Sequence, residues 1–136
     1  MNFKLTASMM CADFGHLEQD IKALEQAGID SFHIDIMDGR YVPNFAMSLN
    51  DMKYIASATN KPLDVHLMIE DPDRYIDEFV KVGADIIVVH AEACRHLDRT
   101  IEAIKEKGVL AGVAINPATP VSQILPILHK VNMVLI

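Results

Sequence analysis

The chain has 136 residues, with 12 Lys and Arg against 19 Asp and Glu and a formal net charge of −7. That balance, without any run of basic residues, argues against nucleic acid or an anionic membrane as a partner. Hydrophobic residues make up 51% of the chain, enough for one compact domain over residues 1–136, and no apolar run approaches the ~20 residues of a membrane span. Cys11 and Cys94 lie far apart without Cys-x-x-Cys spacing, and no basic segment followed by an apolar one opens the chain. A cytoplasmic location in a reducing compartment is therefore expected.

The first β-like apolar run begins near Phe3. A helix is predicted over residues 16–26, where Leu17, Ile21 and Leu24 fall at helical intervals and Gly28 acts as a stop. The second run begins near Ser31 and carries the most informative pattern of the chain. Phe32, Ile34 and Ile36 share one side of a strand, and His33, Asp35 and Met37 share the other. An imidazole and a carboxylate on one inner face are costly unless they are hydrogen-bonded, paired or bound to a metal. After a weaker helix at Leu49–Ala58, a third run from Pro62 repeats the device: Leu63, Val65 and Leu67 alternate with Asp64, His66 and Met68. Two such strands facing one space would supply His33, Asp35 and His66, the ligand types of a divalent transition-metal site.

A helix is predicted over residues 73–82, with an apolar stripe of Tyr75, Ile76, Phe79 and Val80 and with Gly83 beyond. The fourth strand starts near Asp85 and ends on His90. The next helix spans residues 96–107, turns Leu97, Ile101 and Ile104 inward and stops at Gly108. The fifth strand starts near Val109, a last helix is predicted over residues 120–130, and a sixth strand begins near Asn132.

Strands recurring at intervals of roughly 23 to 31 residues, each followed by a helix, specify parallel βαβ units. A doubly wound dinucleotide fold would show Gly-x-Gly-x-x-Gly after the first strand, where this chain reads Ser8-Met9-Met10-Cys11-Ala12-Asp13. Polar residues at strand ends, among them Ser8, His33, Asp35, His66, His90 and Asn116, suit a (β/α)8 TIM barrel, whose active site gathers at the carboxyl ends of its strands. Eight units take ~250 residues. The expectation is thus a single domain that forms the N-terminal part of such a barrel, about its first five and a half βα units.

The run Phe32-His33-Ile34-Asp35-Ile36-Met37-Asp38-Gly39-Arg40-Tyr41-Val42-Pro43-Asn44 resembles the first signature of the ribulose-phosphate 3-epimerase family. Ser8 with Ala12-Asp13-Phe14, Asp64-Val65-His66-Leu67-Met68, His90-Ala91-Glu92 and Asn116-Pro117-Ala118-Thr119-Pro120 resemble further landmarks of that family in the same order. The resemblance implies a ribulose-phosphate-binding barrel that inverts C3 of a ketose phosphate, D-ribulose 5-phosphate to D-xylulose 5-phosphate, through a cis-enediolate. It implies one divalent metal ion (Zn, Fe, Mn or Co) on His33, Asp35 and His66, with Asp35 also an acid/base group, and no other cofactor. Ser8, His66, Met37 and Met68 would meet the substrate, the two methionines capping the enediolate. The family's second acid, on a seventh strand, and its phosphate loops lie outside this sequence. A homo-oligomer is implied for the full-length protein.

The allulose-6-phosphate 3-epimerase branch is an alternative, which Ser8-Met9-Met10-Cys11 and Lys61-Pro62-Leu63-Asp64 resemble more closely. A related decarboxylase class shows Asp-x-Lys-x-x-Asp at the third strand, and the corresponding Asp64-Val65-His66-Leu67-Met68-Ile69 lacks its lysine and second aspartate. A reading of another class is a truncated, catalytically incompetent barrel fragment acting only as a binding or folding unit. Within the stretch, Asp38 is expected to stabilise the turn before Gly39. Asp64 is expected to orient His66 or to pair with another interior group.

Overall fold

The computed structural model describes residues 3–136. Six strands, β1 (Thr6–Ser8), β2 (Ser31–Met37), β3 (Leu63–Met68), β4 (Ile86–His90), β5 (Leu110–Ala114) and β6 (Met133–Leu135), form one parallel sheet in the order β1-β2-β3-β4-β5-β6. This order separates the two α/β architectures. A doubly wound sheet reverses direction at a switch point, whereas a barrel lays each strand beside its predecessor. The sheet is a curled half-barrel, in agreement with the expected partial TIM barrel. Helices α1 (Leu17–Gln26), α2 (Leu49–Ala58), α3 (Ile76–Lys81) and α4 (Leu97–Glu106) connect successive strands. None among the described residues is long and apolar enough to cross a membrane.

The alternation in β2 and β3 places their apolar residues against the helices. Phe32, Ile34, Val65 and Leu67 are completely buried, as are Ile21 of α1 and Met52 and Ile55 of α2. Each such side chain contributes about 1.5–3 kcal/mol on burial, so this layer supplies most of the fold's driving force. The other face of the sheet is the inner one. Asp35, His66, Val88, Gly112 and Met133 lie side by side across it in register. Gly112 answers a steric need, because a Cβ there would lie 2.8 Å from Cγ2 of Val88.

Local signals start and stop the elements. Ser48 and Asp51 form a capping box at the start of α2, Ser48 N–H donating to Asp51 Oδ2 at 2.8 Å. Gly28, Gly83 and Gly108 follow α1, α3 and α4 as expected. Two predicted helices differ from the structure. The segment expected as one helix over residues 120–130 is two 3-10 turns, Val121–Gln123 and Leu125–Lys130. Pro126 has no N–H for an α-helical bond and its ring would clash one turn back, so tighter bonds such as Ile127 N–H to Ile124 O prevail. The helix expected over residues 73–82 is divided into a 3-10 turn, Pro72–Arg74, and the shorter α3. Tyr75 stands at that junction and is exposed rather than part of the inward stripe.

Candidate active site

The carboxyl ends of β1, β2, β3 and β4 bring together Ser8, Asp35, His33, His66 and His90. At the centre is the Asp35 carboxylate, 8% exposed, whose two oxygens face different partners. Oδ1 lies 3.2 Å from His33 Nε2 and 3.2 Å from His66 Nδ1, while Oδ2 accepts a 2.7 Å hydrogen bond from the Ser8 hydroxyl. Burial opposes ionisation of Asp35, but the contacts with His33, His66 and Ser8 outweigh it and hold the carboxyl far below its ordinary range.

The second nitrogen of each histidine is also engaged. His33 Nδ1 lies 2.8 Å from Asp64 Oδ2, and His66 Nε2 lies 2.8 Å from His90 Nε2. Burial of His33 works against its charge, yet the flanking carboxylates of Asp35 and Asp64 prevail and raise its pKa to about 9. His90 shifts the other way: burial first, and then the neighbouring His66, disfavour its charged form. Of the two partners open to Asp64, the structure selects His33 over His66. In parallel pairing Asp64 stands opposite His33, and His66 opposite Asp35.

His33, Asp35 and His66 can hold a metal ion. One ligand atom from each lies within 4.8 Å of the other two. With His33 Nδ1 facing Asp64 and His66 Nε2 facing His90, the atoms left to coordinate are His33 Nε2, His66 Nδ1 and Asp35 Oδ1. Two imidazole nitrogens and a carboxylate oxygen suit a divalent transition ion. A carboxylate behind a ligating imidazole, as Asp64 stands behind His33, fixes its ring orientation.

Met37 and Met68 stand opposite each other at the ends of β2 and β3, both half-buried. Asp38, just beyond, accepts from the backbone N–H groups of Arg40 and Tyr41 at 2.9 Å each and from Glu70 N–H at 2.8 Å. It therefore holds the expected turn and also ties the loop after β2 to the loop after β3. Gly39 in this turn has φ +71°, and a Cβ on it would lie 2.4 Å from the Phe45 ring.

The role of Glu92 escaped sequence reasoning. Its Oε1 accepts from Asn116 N–H at 2.8 Å and from the Thr119 hydroxyl, and its Oε2 lies 3.3 Å from the Tyr41 hydroxyl. Asn116 Nδ2 donates to that same hydroxyl at 2.9 Å. The loops after β2, β4 and β5 thus meet at one carboxylate, and the Tyr41 ring lies 4.8 Å from that of His90. The available signal was the spacing of His90 and Glu92, two residues apart where period-two alternation carries on past the strand.

A curled parallel sheet with polar groups gathered at its carboxyl ends defines part of a TIM-barrel-type protein, and comparison with solved structures agrees. Tryptophan synthase subunit alpha from Legionella pneumophila str. Paris superposes with a TM-score of 0.65 at 14% identity, covering 98% of this chain and 62% of that one. Yersinia pestis DHPS matches 93% of this chain and 51% of its own with a TM-score of 0.62, also at 14% identity. A sequence model of the Ribulose-phosphate 3 epimerase family matches residues 4–136, and the chain belongs to that family. It is 51% identical over 133 residues to the ribulose-phosphate 3-epimerase of Bacillus subtilis (strain 168), which covers 98% of this chain and 61% of the relative. It is 44% identical over 137 residues to that of Synechocystis sp., covering 99% of this chain and 60% of the relative. The ribulose-phosphate 3-epimerase of Methanocaldococcus jannaschii is 44% identical over 133 residues, covering 98% and 56%. The chain thus spans about three-fifths of the length of these relatives.

Proposed function

We propose that this chain carries the metal ligands and one acid/base group of a 3-epimerase that interconverts D-ribulose 5-phosphate and D-xylulose 5-phosphate. The observation that carries this reading is the two-sided Asp35 carboxylate, with Oδ1 beside two imidazoles and Oδ2 under the Ser8 hydroxyl. The names of the relatives favour a pentose over a hexose phosphate.

A proton alpha to a ketone is weakly acidic, so its removal needs a positioned base and a means of stabilising the oxygen that gains charge. A divalent ion held by His33, Asp35 and His66 would polarise the ketone and offset that charge. Asp35 takes the C3 proton on Oδ2, the oxygen turned away from the ligating imidazoles. Ser8 keeps that oxygen oriented and lies where the substrate enters, since it is exposed while Asp35 is buried. Met37 and Met68 lay an apolar, polarizable surface beside the planar enediolate and keep water from reprotonating it at random. Asp35 serves one face of C3, and inversion requires a second acid on the other. The same reading makes the protein an enzyme of sugar-phosphate metabolism and a homo-oligomer, as its family suggests, and a cytoplasmic one, in keeping with two cysteines that lack disulfide-scaffold spacing.

The test is turnover by the complete polypeptide carrying this sequence. With D-ribulose 5-phosphate in D2O and added Co2+, proton NMR should show D-xylulose 5-phosphate appearing with deuterium at C3. Product without deuterium at C3 would exclude proton abstraction, and absence of both product and exchange would exclude the epimerase reading.

A further inference from the structure

We infer that His90 and Glu92 form a chain of polar contacts behind His66 that accepts its Nε2 proton when its Nδ1 lone pair is given to the metal. The inference rests on the metal-centre reading above and adds two positioning residues to it.

A neutral imidazole carries one N–H, and a ring that coordinates through one nitrogen must carry its proton on the other. His66 faces the site through Nδ1, 3.2 Å from Asp35 Oδ1, so in the ligating form its proton resides on Nε2. That N–H is buried and needs an acceptor. The acceptor within reach is His90 Nε2, at 2.8 Å, and the two rings stack with centroids 5.0 Å apart and planes 26° from parallel.

Acceptance by His90 Nε2 forces the next step. His90 must then carry its own proton on Nδ1, and that atom is buried without a hydrogen-bond partner of good geometry. The polar group it faces is Glu92 Oε2, at 3.5 Å. A carboxylate accepts only, so Glu92 favours the Nδ1–H tautomer of His90 and with it the Nε2–H tautomer of His66, whereas Asp35 Oδ1 beside His66 Nδ1 favours the opposite form until a metal takes up that nitrogen. Glu92 is itself held by Asn116 N–H and by the Thr119 hydroxyl, which anchors the chain of contacts in the loop after β5. The arrangement parallels Asp64 behind His33, with one extra imidazole between carboxylate and ligand.

The chain of contacts predicts which replacements of His90 are tolerated. Glutamine places an amide oxygen near the position of Nε2 and can accept from His66, whereas phenylalanine keeps the ring and the stack but accepts nothing. Two measurements on the complete polypeptide separate the possibilities. Long-range nitrogen–proton NMR of the histidine rings in the Zn2+-loaded protein should report His66 in the Nε2–H form and His90 in the Nδ1–H form. Co2+ titration followed by visible absorption should show affinity about 10- to 100-fold weaker in His90→Phe, the usual loss for an outer partner of a ligand. His90→Gln should recover most of that loss. His90 in the Nε2–H form, or unchanged Co2+ affinity in His90→Phe, would overturn the proposal, and so would a His90→Gln protein no better than His90→Phe. If the unaltered protein takes up no Co2+, the metal reading itself fails, whereas Co2+ uptake that does not depend on His90 fails the positioning role alone. Circular dichroism of both variants identifies any loss that comes from misfolding.

Discussion

The Asp35 side chain depends on having an acceptor at both ends. Oδ1 faces two ring nitrogens and Oδ2 faces a hydroxyl, so an amide of the same shape must turn its NH2 toward one of those groups. Asp35→Asn should therefore keep the fold and lose both functions assigned to the carboxylate. General bases contribute typically ~10²–10⁴-fold, and epimerisation and C3 exchange should fall together by at least about 10². Turnover within a few-fold of the unaltered protein would remove Asp35 from the chemistry. The pairing of Asp35 with imidazoles was readable from alternation, because His33, Asp35 and His66 are polar residues on apolar strands. The partner of Asp64 was not readable in the same way. Alternation puts Asp64, His33 and His66 on one face but does not say which histidine stands opposite, since the stagger between strands decides that.

Strand order was readable from spacing, and the outer apolar layer from the period of two. Elements governed by single prolines or by inner-face sterics were less so. Helical periodicity runs through residues 120–130, yet Pro126 turns the segment into 3-10 turns, because a missing N–H outweighs a hydrophobic pattern. Gly112 shows the inner-face case. In the sequence it is an isolated glycine in an apolar run, and in the sheet it is the gap that Val88 fills. Gly112→Ala should cost about 1–3 kcal/mol, the usual range for overpacking a close-packed layer. Urea unfolding measures it. Val88→Ala in the same chain should return part of the loss, since it removes the Cγ2 atom that lies 2.8 Å from the added carbon. Equal and additive losses would show that the two positions do not meet.

At the scale of the molecule, the ligands come from β2 and β3, two strands paired over six residue positions. An ion bound there holds neighbouring strands of the sheet in one register, and the unfolded chain offers no such cluster. Binding to the folded state alone stabilises by RT ln(1 + [L]/Kd), about 2.7 kcal/mol at a hundredfold excess over Kd. For a protein of this size that corresponds to a rise in Tm on the order of 10 °C. Thermal unfolding of the complete polypeptide should therefore shift upward when Co2+ replaces EDTA, by an amount that grows with the logarithm of Co2+ concentration. His66→Ala removes one ligand of three and should abolish most of the shift. In EDTA the same variant should already melt below the unaltered protein, because Asp35 and His90 each lose a buried partner, so the Co2+-dependent shift is read within each protein. Identical melting of the unaltered protein with and without Co2+ would mean that the cluster is satisfied by its own hydrogen bonds. Asp35, His33 and His66 would then be a structural network at the end of two strands, and the catalytic reading of that network would lose its support.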